Sequence, residues 1–233
     1  MIFKTSLGLL ALCLLTVAGQ AQQDAAIGPV QIRAILHDPV HPVAALFLSD
    51  QAGGIIKLEF LSQDLSKPQL TVPVNGSLVL YDKADVDPKN PEASLAATCK
   101  LPPNAKRGII VVLPGPTGVK PAYRVVFIDD SAKAFPKGES RVLTLLPFEC
   151  AIEAGEHKLP IQPGKIANVP PVRKVNEFNM AQTNFYNKEG DVWTPFTERQ
   201  LQFLDAFRRV FIVHSTPGAL SPMVTTIVDT DVP

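Results

Sequence analysis

Apolar residues recur along most of the chain with the two-residue period of half-buried β-strands. In the run Ile55–Leu61, the residues Ile56, Leu58 and Phe60 fall on one face and charged side chains fall on the other. A later run, Ile109–Leu113, is apolar on both faces, which is typical of a central strand. The pattern therefore predicts a β-rich protein.

Roughly 14 short runs of this kind follow one another at near-regular spacing. They predict an all-β fold, an antiparallel β-sandwich that is immunoglobulin-like or related, built as one sandwich or as two packed β subdomains. The 22 prolines spread through the chain disfavour long helices. The dipeptide Asn75-Gly76 predicts a tight turn between two of the strands.

One short helix is predicted near residues 198–207. Thr197 and Gln200 have the spacing of a capping box at its start. The apolar residues that share its predicted face are Leu201, Leu204 and Phe207. No internal repeat is predicted, because the similar segments YRVVFIDDS and RRVFIVHST are interpreted as two ordinary strands that end in turns.

The N-terminus has the pattern of a secretory signal peptide, predicted over residues 1–21. Lys4 supplies the positive charge, Leu7–Ala18 is almost entirely apolar, and Gly19-Gln20-Ala21 offers small residues for cleavage. The apolar run is too short for a bilayer core, which takes about 20 helical residues. Lipid attachment at Cys13 is not expected, because this cysteine lies in the middle of the run. No transmembrane segment is predicted after cleavage, and the expected location is periplasmic or secreted.

The remaining chain is predicted to form a β-sandwich domain at 22–172 followed by C-terminal hairpins and the short helix at 173–233. The proline-rich stretch 160–174 marks the boundary. The C-terminal part is expected either to pack on the same core or to form a small second subdomain.

Charge limits the class of partner. The whole chain has 22 Lys and Arg against 22 Asp and Glu, and removal of Lys4 with the signal peptide leaves 21 against 22, a formal charge of −1. Without a basic patch, this balance excludes nucleic acid as the expected partner. The partner expected for such an exported domain is an envelope or extracellular protein or a glycan.

Two cysteines, Cys99 and Cys150, remain after signal cleavage. Both alternate with apolar residues on predicted strands. In an oxidising compartment an even pair predicts one disulfide. The alternative is two buried thiols that never meet.

No motif in the sequence specifies a reaction, and no catalytic residue is predicted. The chain lacks G-x-S-x-G, H-E-x-x-H and a glycine-rich phosphate loop. His157 and His214 could act as bases, but neither has a partner nearby in the sequence. His37 and His41 have a metal-ligand spacing only on a helix, which the neighbouring prolines disfavour.

An acidic loop, DKADVDPKNPE, places Asp82, Asp85 and Asp87 close together in the sequence. Carboxylate oxygens at alternating positions are ligands that Ca²⁺ prefers. The loop lacks the spacing and the central glycine of the known calcium-loop motif. No cofactor is predicted, and calcium at these three aspartates is the alternative.

The stretches LPPNAKRGIIVVLPGPTG, YRVVFIDDSAKAFPKGESRVLTLLP and KLPIQPGK, with the closing FRRVFIVHS and MVTTIVD, carry a resemblance. They are similar to a family of uncharacterised secreted bacterial β-rich proteins with a D-S-x-x-x-F-P-x-G-x-x-R element between two strands. The matching residues are Asp130, Ser131, Phe135, Pro136, Gly138 and Arg141. The resemblance spans about residues 95 to 230. It implies an exported β-rich domain and no catalytic residues.

The residue types in that element predict a structural corner rather than a reactive site. Pro136 fixes φ and Gly138 permits a positive φ, so the two shape the connection. Ser131 can bond locally to the backbone, and Arg141 is expected to hold the aspartate Asp130 across the turn.

These observations together predict an exported, non-enzymatic β-sandwich protein with a binding or structural role in the cell envelope or extracellular space. The alternative is a secreted hydrolase whose site is assembled in space from residues distant in the sequence.

Overall fold

Sixteen β-strands account for most of the residues that the computed structural model describes, which are 28–38, 43, 45–61 and 63–231. The predicted signal peptide lies outside these residues. The first eight strands are β1 Val30–Leu36, β2 Ala45–Ser49, β3 Ile55–Glu59, β4 Gln69–Thr71, β5 Ser77–Tyr81, β6 Leu95–Lys100, β7 Arg107–Pro114 and β8 Tyr123–Asp129. The next eight are β9 Ser140–Thr144, β10 Cys150–Ala154, β11 His157–Ile161, β12 Ile166–Val169, β13 Met180–Glu189, β14 Val192–Gln202, β15 Arg208–His214 and β16 Met223–Asp229.

The strands form four sheets in which the same topology occurs twice. The first unit, β1–β8, contains sheets of order β4-β1-β7-β8 and β3-β2-β5-β6. The second unit, β9–β16, contains β12-β9-β15-β16 and β11-β10-β13-β14, which is the same order advanced by eight. In each unit the first strand runs parallel to the seventh, and the other pairings are antiparallel. The chain therefore contains an internal structural repeat of two units, and the prediction of no repeat is wrong.

The register of the strands shows which residues of the two units correspond. Arg33 pairs with Ile109 in the first unit, and Arg141 pairs with Val210 in the second. Across the next ladder, Ile109 pairs with Ile128 and Val210 with Ile227. Counted from these pairs, Arg107 is equivalent to Arg208 and Asp130 to Asp229. In the same way, His37 is equivalent to Leu145 and Leu113 to His214. The segments YRVVFIDDS and RRVFIVHST belong to β8 and β15, which are not equivalent strands.

Three apolar clusters hold the sheets in layers. One lies between the two sheets of the first unit and another between the two sheets of the second. The third joins the inner sheets, defined here as β4-β1-β7-β8 and β12-β9-β15-β16. The inner sheets are thus covered on both faces, which explains the strands that are apolar throughout. Along β7, Ile110 and Val112 face the first cluster while Ile109, Val111 and Leu113 face the third.

The all-β sandwich class predicted from the pattern is confirmed, and so is the central position of Ile109–Leu113. The turn at Asn75-Gly76 also forms: both residues have positive φ, of 50° and 73°, and an isolated bridge joins Val74 to Ser77. Strands on either side of the predicted boundary at 172 share both sheets of the second unit. The passage from one unit to the other occurs between β8 and β9.

The helix predicted near 198–207 is wrong. Strand β14 runs through these residues to Gln202, with Thr197 opposite Phe185 and Gln200 opposite Gln182. The long strand β13 supplies hydrogen-bond partners along all of β14, and this pairing outweighs the weak local preference for a capped helix. Within the described ranges, no helix has the length and apolar character needed to cross a membrane.

The predicted disulfide is also wrong. Cys99 lies on β6 and Cys150 on β10, and both are free thiols. These strands belong to the two outer sheets, which the inner sheets separate. Cys150 is buried and Cys99 is partly buried, and burial raises the pKa of both thiols.

A buried ring of charges joins the two units. This charge ring consists of Arg33, Asp130, Arg208 and Asp229, each at most 2% exposed. Arg33 binds Asp229 at 2.6 Å and Asp130 at 2.9 Å, and Arg208 binds both aspartates at 2.5 Å. Burial opposes ionisation of Asp229, but hydrogen bonds from both arginines outweigh it and lower the pKa of this carboxyl.

Removal of one arginine from the ring is expected to destabilise the protein strongly. Arg208→Met leaves the two buried aspartates with Arg33 and the more distant Arg107, which lies 3.5 Å from Asp130, and it should lower the free energy of unfolding by about 3 to 5 kcal/mol. The matched control is Arg173→Met, because its ion pair with Asp205 is 67% exposed on both sides. That change should have a much smaller effect, because water and salt screen an exposed ion pair. Urea denaturation measures both, and equal losses would contradict the role given to the ring.

Candidate functional site

A cavity of about 430 Å³, called here the histidine cavity, opens at the junction of the two units. Its apolar wall includes Ile35, Phe60, Leu61 and Ile227. Its polar lining consists of His37, Asp38, Gln63, His214 and Thr225. The volume lies in the range of about 300 to 1,000 Å³ that small-molecule sites occupy.

Two histidines from different units meet in this cavity. His37 follows β1, and its backbone N–H donates to the carbonyl of Val112 at 2.9 Å. His214 ends β15. The ring centroids of His37 and His214 are 4.2 Å apart with an interplanar angle of 65°, an edge-to-face arrangement.

Both histidines are held in the uncharged form at neutral pH. Burial lowers the pKa of His37 to about 4, with a further lowering from His214 and a smaller opposing effect of Asp38. Burial also lowers the pKa of His214. Neutral imidazole can both donate and accept hydrogen bonds, so the pair can receive a polar ligand without bringing positive charge.

One imidazole nitrogen in the cavity is unsatisfied. His214 is 7% exposed, and its Nε2 lies 3.1 Å from the Thr225 hydroxyl oxygen. Its Nδ1 is buried and has no hydrogen-bond partner among the described residues. Because a buried polar atom without a partner costs free energy, this nitrogen lowers the stability of the fold at the wall of the cavity.

The internal repeat supplies a comparison for the histidine pair. The residue equivalent to His37 is Leu145, and the residue equivalent to His214 is Leu113. The Leu145 N–H donates to Val213 at 2.8 Å, which matches the bond from His37 to Val112. Both leucines belong to the apolar layer between the inner sheets. This layer therefore accepts leucine at these positions, and packing alone does not require histidine.

Of the other two histidines in the sequence, His157 is among the described residues. The Nε2 atom of His157 lies 3.2 Å from the Pro171 carbonyl oxygen, away from the cavity. His41 lies outside the described residues. The sequence analysis named His214 as a possible base without a nearby partner and did not pair it with His37. The only signal available was that each follows an apolar strand, and nothing local connects them.

The acidic loop does not bring its three aspartates together as a metal site. Asp82, Asp85 and Asp87 are exposed in the connection after β5. The Asp87 carboxylate accepts a hydrogen bond from the Lys89 N–H at 2.9 Å. Over the described part of the chain, no group of three or more His, Cys, Asp or Glu residues is arranged to hold a metal ion.

The D-S-x-x-x-F-P-x-G-x-x-R element forms the connection between the two units. Ser131 accepts hydrogen bonds from Ala134 N–H at its hydroxyl and from Phe135 N–H at its carbonyl. The Pro136 carbonyl accepts from Glu139 N–H at 3.4 Å. Gly138 has a φ of +80°, and a Cβ there would lie 2.9 Å from Asp205 Oδ1, so both conformation and space favour glycine.

Arg141 does not hold Asp130, so this detail of the expected corner is wrong. Its guanidinium binds Glu139 at 2.8 Å and the carbonyl of Ala134, and it stacks over the Phe135 ring. Arg33 and Arg208 reach Asp130 from more distant strands. Of the corner residues, Asp130 belongs to the charge ring, and none of them lines the histidine cavity.

Comparison with known proteins does not add a function: no protein-family model matches the chain, and no curated protein matches it. The geometry of the histidine cavity is therefore the basis on which a function of this protein is inferred below.

Acidification should destabilise the protein through His37. Its pKa is depressed in the folded state, so between about pH 6.5 and pH 4 the unfolded chain binds a proton that the folded chain does not. Stability is retained above this window and lost as the pH falls through it. After allowance for partial exposure of the ring, the loss should be about 1 to 2 kcal/mol.

The measurement is urea denaturation at about pH 7 and pH 4.5, compared between the natural protein and His37→Leu. Leucine is the residue found at the equivalent position, and the variant should lose less stability on acidification. His157→Gln, outside the cavity, should behave as the natural protein does. An identical pH dependence in all three proteins would contradict the assignment.

Proposed function

We propose that this protein is an exported, non-enzymatic binding protein of the cell envelope or extracellular space, and that the histidine cavity is its ligand site. The observation that carries the proposal is the contrast within the repeat. The apolar layer between the inner sheets contains Leu113 and Leu145. At the equivalent positions of the repeat it has the uncharged His37 and His214, which line a cavity of about 430 Å³. His214, which lines this cavity, also has a buried Nδ1 with no hydrogen-bond partner among the described residues.

The lining favours binding over catalysis. Of the described residues around the cavity, none is serine or cysteine, and Thr225 offers the hydroxyl. A nucleophile needs a base that a third group orients. If His214 were the base, the third group would bind its Nδ1, and this nitrogen has no hydrogen-bond partner among the described residues.

The second candidate is a secreted hydrolase, and one observation favours it. The Thr225 hydroxyl oxygen lies 3.1 Å from His214 Nε2, within the distance at which a base can accept a proton from a nucleophile. Turnover of an ester, glycoside or peptide substrate that Thr225→Val abolishes would favour this candidate over a binding protein.

Ligand binding at the histidine cavity is tested by a small-molecule screen on the exported, purified full-length product, with saturation-transfer NMR as readout. We expect ligands whose affinity falls by about tenfold or more in His214→Leu, a loss of about 1.4 kcal/mol. Leucine at the equivalent position packs in the same layer, so the variant should keep its fold.

His157→Gln is the matched control and should bind the same ligands with unchanged affinity. Ligands that bind equally well to His214→Leu would place binding elsewhere, and a screen without ligands would count against a binding function.

Export has its own test, which depends on the pattern over residues 1–21. Expression of the whole chain in a bacterium with an intact secretion pathway should give a periplasmic or secreted product whose N-terminus is Gln22. A matched variant with two arginines in place of Leu10 and Leu14 should stay uncleaved inside the cell. Cytoplasmic accumulation of the natural chain in uncleaved form would contradict export.

A further inference from the structure

Two hairpin loops leave the inner sheets at the same end. They are 115–122, between β7 and β8, and 215–222, between β15 and β16. The His37 N–H donates to the Val112 carbonyl near the end of β7, and the His37 ring contacts the ring of His214, the last residue of β15. The ends of β7 and β15 are therefore close together, and the two loops, called here the hairpin tips, lie at one end of the molecule.

The two hairpin tips contain the same turn. In each, a backbone N–H donates to the carbonyl three residues earlier. The bond from Val119 to Pro116 is 3.2 Å long, and the bond from Ala219 to Thr216 is 3.0 Å long. The repeat thus builds one turn geometry at both tips.

Both hairpin tips expose apolar side chains on protruding backbone. Val119 is 56% exposed, Leu220 is fully exposed, and Met223 beside the second tip is half exposed. Among the described residues, and apart from the adjoining ones, no atom lies within 4 Å of a Cβ placed on Gly118 or Gly218. The tips therefore project into open space and do not form a groove. A convex apolar tip is best covered by a medium that deforms around it, as the acyl chains of a bilayer do.

The charges of the hairpin tips fit a membrane interface. Neither tip contains Asp or Glu, and Lys120 is the charged residue of the first tip. At the start of β8, Tyr123 is partly buried and Arg124 is exposed. Tyrosine is favoured at the boundary between acyl chains and water, and long cationic side chains reach from apolar surroundings to the headgroups.

The neighbouring acidic loop decides the type of lipid. The Lys120 ammonium donates to the Ala93 carbonyl at 3.0 Å, next to the loop DKADVDPKNPE. That loop has four acidic against two basic residues, a formal charge of −2, which offsets the charges of Lys120 and Arg124. Without an excess of positive charge, attraction to anionic headgroups is not expected, and apolar insertion supplies the binding free energy.

We propose that the hairpin tips bind the surface of a zwitterionic lipid bilayer, with Val119 and Leu220 inserted among the acyl chains and Lys120 at the level of the headgroups. This inference goes beyond the proposed function, because it assigns a partner to a second surface and does not depend on the ligand of the histidine cavity.

Co-sedimentation of the purified, exported protein with phosphatidylcholine vesicles tests the proposal. We expect saturable binding that changes by less than about twofold when one third of the lipid is phosphatidylglycerol or when the salt concentration is raised. Leu220→Asp should lower the partition coefficient by about tenfold or more, and Val119→Asp by about fivefold, because each replaces an inserted apolar side chain with a charge. Both side chains are exposed, so the urea midpoint should stay unchanged.

Phe178→Asp is the matched control. Phe178 is also an exposed apolar residue, at 64%. It lies away from the tips, because the carbonyl of the adjacent Asn179 accepts from Phe203 N–H, close to the start of β15 and not to its end. Binding to vesicles should be the same in this variant as in the natural protein.

Three results would overturn the proposal. They are absence of vesicle binding by the natural protein, an equal loss in Phe178→Asp and Leu220→Asp, and binding that requires phosphatidylglycerol and is abolished by salt. Light scattering without vesicles provides a fourth: a dimer that Leu220→Asp dissociates would assign the tips to a second copy of the chain. Each of these results leaves the histidine cavity as a ligand site untouched, since the small-molecule screen tests that site separately.

Discussion

The structure depends on a neutral ring of four buried charges. Arg33 lies on β1 of the first unit and Asp130 directly follows β8, the last strand of that unit. Arg208 and Asp229 lie on β15 and β16 of the second unit. Each arginine bonds the aspartate of its own unit and that of the other, so separating the units would break the Arg33–Asp229 and Arg208–Asp130 ion pairs. Such a ring adds less net stability than its short contacts suggest, because desolvation offsets much of the attraction. Its stronger effect is to fix one relative placement of the two units.

That placement determines the composition of the inner strands. Once the inner sheets face each other, β7 and β15 are covered on both sides and every position from Ile109 to Leu113 is buried. Phe135 lies between the guanidinium groups of Arg141 and Arg208, which are 4.2 Å and 4.3 Å from the centre of its phenyl ring. Because Arg208 belongs to the charge ring, the connection between the two units packs directly on that charge ring. The D-S-x-x-x-F-P-x-G-x-x-R element therefore has a structural explanation in the junction of the repeat.

Local patterns predicted the local features. The alternation in Ile55–Leu61 corresponds to β3, and the Asn75-Gly76 dipeptide to a tight turn, because both depend on residues next to one another. The helix near 198–207 was wrong because the neighbouring strand β13 pairs along β14 in a hairpin. The disulfide was wrong because the separation of β6 and β10 depends on how sheets assemble from strands distant in the sequence. The predicted partner of Arg141 was wrong because Glu139 and the carbonyl of Ala134 bind its guanidinium instead. The repeat was not predicted because its two units share strand order and register, which the sequence pattern does not reveal. The two segments with similar sequences lie on β8 and β15, which are not equivalent strands.

The same repeat explains why the histidine cavity stands out from ordinary packing. Leu113 and Leu145 lie in an apolar layer that offers no partner to a polar ring. At the equivalent place, His37 and His214 give up hydration, and His214 keeps a buried nitrogen unsatisfied. A fold that accepts leucine there would be more stable with it, so the histidines reduce stability at this position. Local conflict of this kind is expected where a site serves binding rather than folding, and here it coincides with the cavity and with Asp38.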